Sequence, residues 1–245
     1  MTSTEVPGPP EQGPKPSGFQ RVIGVLMTPN ETFASIARQP DWLVPLVIIL
    51  VVSLVAGIIF AQRVDFISPM REAMEHNKNM SPDQIDRAVR ISSAVAKVFS
   101  YASPLLSVIS LLIIAAVLLL VFRLFGGEGD FRQAFSVVVY SWMPGIIKSI
   151  VVIAIVAARS VSASDLATLL RSNLAFLVTM KDHPMLFVLL SSLDVFTIWL
   201  LALLIIGFGY VSRLSRSKSA AIVISLWVVV TLFKLIGPAI RALRG

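Results

Sequence analysis

Five apolar stretches separated by charged segments organise this chain, at about residues 42–61, 104–122, 134–157, 185–208 and 220–235. Each approaches or exceeds the ~20 residues a helix needs to cross a hydrocarbon core ~30 Å thick. Runs such as 46–55 and 111–121 are continuously apolar, without the alternation of barrel strands. Inside lipid every backbone N–H and C=O must be bonded internally, and with barrels excluded the remaining solution is a helical bundle. The pattern therefore predicts an all-α fold: a polytopic transmembrane bundle of five helices, over residues 41–240.

The polar intervals carry their own signals. Residues 1–17 contain Pro7, Pro9, Pro10, Pro14 and Pro16 and no apolar core, which predicts a disordered tail without a signal-peptide pattern. The first span is then expected to act as its own insertion signal. Over residues 18–40 two short amphipathic helices are expected. Phe19, Val22, Ile23 and Leu26 recur at helical spacing, and Thr28-Pro29-Asn30-Glu31 reads as a capping box ahead of Phe33 and Ile36. These helices suit either the membrane interface or the bundle's own loops. Ser81-Pro82-Asp83-Gln84 is a second capping box, followed by Ile85, Val89, Val95 and Phe99 as an amphipathic lead-in to the second span. Leu166, Leu169, Leu170, Leu174 and Leu177, between Asp165 and Lys181, predict an interfacial helix. Pro144 should kink the third span, and Pro238 is expected to end the fifth.

Composition narrows the function. The chain is 56% hydrophobic and 14% charged, with a mean hydropathy of +0.84; soluble domains run at about 45–50% and 25%. It has no cysteine, which removes thiolate chemistry and disulfides. The net charge of +7 has no aromatic-interleaved soluble face on which to sit, so it points to anionic headgroups and away from nucleic acid. The short loop with Arg213, Arg216 and Lys218 contains no acid, so the positive-inside rule places it and the N-terminus in the cytoplasm and the C-terminus outside.

Candidate chemistry is sparse. Lys148 in the third stretch and Asp194 in the fourth are expected in the same half of the bilayer, within about 5 Å of its midplane. A charge at that depth costs at least ~2.5–3.5 kcal/mol, so an oppositely charged pair is the economical arrangement. The pair reads as a structural bridge or as a proton or ion relay; no second carboxylate continues a relay. Lys234 lies in the same leaflet and can snorkel. His76 and His183, the two histidines, belong to loops and lack a neighbouring ligand set, so no metal and no cofactor is expected. Gly126-Gly127-Glu128-Gly129-Asp130-Phe131 is a tight turn. It lacks the Lys-Ser/Thr of a phosphate loop. No nucleophile–base set occurs, and no enzyme is expected.

In order and spacing these landmarks resemble the YIP-domain family, the Ypt/Rab-interacting multipass membrane proteins and their prokaryotic relatives. The matching residues are Pro29, Phe33 and Ile36 with Pro40, Trp42 and Pro45, then Phe125-Gly126-Gly127-Glu128-Gly129-Asp130-Phe131 leading to Tyr140, Ser141 and Pro144. Leu193-Asp194-Val195-Phe196 with Trp199, and Gly207 before a basic turn, complete the set. The resemblance spans about residues 18–237. It implies a five-span bundle with a cytosolic N-terminus and, in eukaryotic members, trafficking roles through Rab GTPases. This chain lacks the Asp-Leu-Tyr-Gly-Pro motif ahead of the first span. It looks like the prokaryotic branch, for which the cytoplasmic membrane is the expected location and no Rab-type partner is expected.

Two functions fit the residues. One is a membrane scaffold or adaptor associating with membrane lipids, other membrane proteins or itself as a homo-oligomer. The other is a small-solute or ion transporter using Lys148, Asp194 and the Pro144 kink.

Overall fold

A computed structural model describes residues 16–75, 80–166, 168–180 and 182–244. Most of the proline-rich tail, His76 and Lys181 lie outside the described residues. Among the described residues, five helical segments are long and apolar enough to cross a membrane: Leu43–Arg63, Ser103–Leu124, Phe131–Ala158, Val195–Ser212 and Arg216–Ile240.

Two short helices precede the first span. In α1 (Gly18–Met27) a capping box between Ser17 and Gln20 satisfies the opening N–H groups. In α2 (Pro29–Arg38) proline occupies the first position, but the capping box expected of Thr28 and Glu31 does not form. Thr28 also closes α1, and its hydroxyl reaches back to the Gly24 carbonyl at 3.4 Å. Phe33 and Ile36 are fully buried, on a helix packed against α10 (Val195–Ser212) and α7 (Phe131–Ser141). The apolar stripe of α2 is therefore spent inside the bundle. On α1 the faces divide: Arg21 and Val25 point inward, whereas Phe19, Ile23 and Met27 point out.

The first span, α3 (Leu43–Arg63), is followed by α4 (Ile67–Glu75) and α5 (Pro82–Tyr101). The Ser81–Gln84 capping box opens α5 as expected. Its predicted stripe splits, because residues spaced by four share a helix face and a step of two crosses to the other. Ile85, Val89 and Ser93 are buried, while Ile91, Val95 and Phe99 face outward. Ala102 alone separates α5 from α6 (Ser103–Leu124). At this elbow Ser103 donates to the Ser53 carbonyl at 2.8 Å, and the Ser53 and Ser107 hydroxyls lie 3.1 Å apart.

The third span is two helices, α7 and α8 (Met143–Ala158), meeting at Trp142. Pro144 at the second position of α8 marks the break that its missing N–H predicts. The core centres on α7, where Ala134 to Ser141 are all buried. Around it Phe122 stacks on Phe208 at 4.6 Å, and Trp42 meets Phe135 edge-on at 5.6 Å.

Beyond α3 and α8 the chain runs briefly extended. The strands β1 (Val64–Asp65) and β2 (Val161–Ser162) pair in parallel, Val64 opposite Val161. The leucines after them do not form the expected interfacial helix. The segment makes two short 3-10 turns, Ala163–Asp165 and Leu174–Leu177, the latter capped by Asn173. The intervening chain bends so that Ser172 reaches the start of α10.

The fourth apolar stretch is also divided, into α9 (Pro184–Ser192) and α10. The last helix, α11 (Arg216–Arg244), continues through Pro238 instead of ending there. A proline this close to a helix end removes one ladder bond and leaves little helix downstream to destabilise.

Candidate functional site

Asp194 caps α10 rather than lying within a span. Leu193 leaves the helical conformation, and the Asp194 carboxylate accepts the Phe196 N–H at 2.9 Å. Its other oxygen receives the Lys148 ammonium at 2.7 Å and the Ser172 hydroxyl. The Ser172 carbonyl in turn accepts the Val195 N–H at 3.1 Å. Three chain segments thus converge on one carboxylate, whose side chain is 2% exposed against 34% for Lys148. A carboxylate at a helix N-terminus also meets the positive end of the helix dipole.

Glu128 N–H donates to the Ser212 carbonyl at 2.9 Å, tying the start of the third span to the end of α10. At ~1.5 Å per residue, Lys148 then lies about 25 Å and Asp194 about 27 Å from that shared end. Lys148 lies within the apolar segment Phe131–Ala158, and Asp194 immediately precedes the apolar helix Val195–Ser212. The carboxylate thus accepts three hydrogen bonds, one each from α8, from the first turn of α10 and from the loop between them. Lys234 is exposed on α11 and makes no ion pair among the described residues.

The other singled-out residues are packing elements. Phe33 and Val137 close on Gly207, where a Cβ would come within 2.5 Å of Val137 and 3.0 Å of the Phe33 ring. Tyr140 is fully buried on α7. Pro29 and Pro144 start helices, and Trp199 packs half-buried on the core. In the glycine turn, Gly126 and Gly129 adopt φ of 83° and 106°, which glycine tolerates without strain. Gly127 sits against the Phe122 carbonyl, which a Cβ would approach to 2.8 Å. Among the described residues no group of three His, Asp or Glu side chains could hold a metal, and His183 is exposed.

Several contributors carry no legible signal in the sequence. Ser172 is one serine in a loop until the fold places it against Asp194. Arg21 is buried, donating to the Gln39 carbonyl at 2.8 Å and the Ser35 hydroxyl at 3.2 Å. Gln133 joins two motif regions by donating to the Ala37 carbonyl at 2.7 Å.

A family model described as the Yip1 domain matches residues 23–237, thus most of the chain and every landmark from Phe33 to Gly207. No curated protein and no solved structure matches it.

Proposed function

The chain belongs to the Yip1-domain family and is an integral membrane protein, and from that premise we propose that it acts by association, as a membrane scaffold or adaptor, rather than by catalysis or transport. The observation that carries this reading is the outward face of α1. Phe19, Ile23 and Met27 are 65%, 61% and 77% exposed on a helix whose opposite face, with Arg21 and Val25, is locked into the bundle. A helix held on one side and apolar on the other is a docking element for lipid or for another membrane protein. Ile91, Val95 and Phe99 give α5 a second such face. Ala154 and Ala158, both exposed one turn apart on α8, let a further helix approach closely, including one from a second copy.

The orientation that suits this reading puts the N-terminus in the cytoplasm and the C-terminus outside. Arg38, Arg123, Arg132, Arg213, Arg216 and Lys218 gather at the end shared by α2, α6, α7 and α10. Membership of the prokaryotic branch, with the cytoplasmic membrane as location and no GTPase partner, is part of the same proposal.

A photo-crosslinking residue at Ile23 in native membranes tests it. A defined lipid or protein adduct is expected, lost with Phe19→Asp while the purified bundle stays folded. The transporter reading draws on the partial exposure of Lys148 and the helix break at Trp142. Solute flux into sealed vesicles that vanishes with Asp194→Asn would establish it and remove the scaffold.

A further inference from the structure

We propose that the cleft at the basic end of the bundle is a binding site for the phosphodiester headgroup of a glycerophospholipid. The cleft measures about 360 Å³ and is lined by Arg38, Glu128, Gly129, Gln133, Tyr210 and Arg213 among others. This size lies within the ~300–1,000 Å³ of typical ligand sites.

Its hydrogen-bonding capacity is one-sided. The acceptors around it are largely spent: the Ala37 carbonyl takes the Gln133 amide at 2.7 Å, and the Gly129 carbonyl takes Arg123 at 2.9 Å. Gln133 is also fixed by its capping box, receiving the Asp130 N–H at 3.0 Å. Apart from the Glu128 carboxylate and the Tyr210 hydroxyl, the unspent side-chain groups are donors. Arg38, in the last turn of α2, is exposed and has no hydrogen bond or ion pair among the described residues. Arg213, held at a left-handed φ of 56° where α10 ends, shares its guanidinium with Glu128 at 3.0 Å. Both members of that pair are exposed, so the contact restrains Arg213 weakly and leaves donors to spare. Two guanidinium forks facing one carboxylate leave a net positive, donor-rich cleft, and planar Arg donors match phosphate oxygens in pairs.

Position selects the source of the phosphate. The cleft lies where α6 ends at Leu124, α7 begins at Phe131 and α10 ends at Ser212. Headgroup phosphates sit at that level, just beyond the span ends. Leu124, Phe125 and Phe131, flanking the glycine turn, are large exposed apolar side chains beside which acyl chains can lie. The site is separate from the outward face of α1 and does not depend on what occupies that face.

Native mass spectrometry of the full chain released from detergent micelles, with added phosphatidylglycerol, tests the proposal. One lipid per protein is expected to survive. The retained fraction should fall at least fivefold with Arg38→Gln and with Arg213→Asn, chosen because asparagine tolerates the left-handed backbone. Arg71→Gln, on α4 where Arg71 pairs with Asp86 of α5, should not change it. Retention in Arg38→Gln and Arg213→Asn equal to that in Arg71→Gln overturns the site. Displacement of the lipid by 10 mM inorganic phosphate overturns the headgroup and leaves a free-anion site. A thermal unfolding midpoint for each variant separates lost binding from lost fold, and the two Arg variants on different helices keep the comparison decisive if one misfolds.

Discussion

Gly57 of α3 packs directly on the backbone carbonyl of Ser100, where a Cβ would lie 2.1 Å from the oxygen. Glycine inside a helix ordinarily costs about 1 kcal/mol relative to alanine. Here contact with an immovable carbonyl reverses the sign, since overpacking costs ~1–3 kcal/mol or more. Gly57→Ala should therefore lower the unfolding midpoint in detergent. Gly237→Ala, at a site with nothing within 4 Å, should leave it unchanged or raise it.

The Lys148–Asp194 contact predicts coupling. Removing either partner leaves a charge without its counterion, at a cost of about 3–5 kcal/mol if fully buried. The partial exposure of Lys148 puts the expected value at or below the bottom of that range. Lys148→Met with Asp194→Asn should cost clearly less than the two single changes added, as measured in a double-mutant cycle. Asparagine keeps the helix cap, so Asp194→Leu should lose about 1 kcal/mol more than Asp194→Asn. Additive single effects would show that the residues act independently.

Opposite faces of α1 should respond differently to the same substitution. Val25→Asp places a carboxylate in the core and should unfold the bundle. Ile23→Asp should leave folding intact and weaken docking, since burying one such side chain is worth about 1.5–3 kcal/mol. Circular dichroism in detergent and the crosslink yield from Phe19 separate the two. Val22 and Leu26 are poor positions for this test, because both are partly buried against the core.

An acid-sensitive element lies at the start of α4. The Ser68 hydroxyl, with the Ser68 and Ile67 N–H groups, holds the Asp65 carboxyl below its ordinary range. A depressed value in the folded state means stability that is present above the ordinary carboxylate range and disappears as pH falls through the lowered one. The unfolding midpoint of the native chain should drop over that acidic window. Asp65→Asn should flatten this part of the profile.

Reporter fusions check orientation. Those at Gly127 and Arg216 should report cytoplasm and one at Asp182 the opposite side; the reverse pattern inverts the bundle.

The five spans were legible because continuous apolarity at spanning length has one solution in lipid. The position of Asp194 was not. A carboxylate flanked by Ser191, Ser192 and Leu193 on one side and Val195 and Phe196 on the other reads as a charge inside a span. Only the Ser172 contact and the break at Leu193 reveal a helix cap. The leucines at 166–177 likewise suggested a helix, but their backbone is bent to serve that same carboxylate. The cleft is not legible in the sequence, because Arg38, Glu128 and Arg213 are far apart along the chain and meet only when α2 packs against α10.

The two-residue ladder between β1 and β2 has a mechanical meaning. It joins the far ends of α3 and α8, which run in the same direction and contact each other along their length. A slip of one residue would turn Val161 away from Val64 and Val156, opening the small apolar cluster they form. The two helices are thereby pinned in axial register. The joined end resists axial sliding of one helix past the other and leaves tilting about that end as the easier relative motion of α3 and α8.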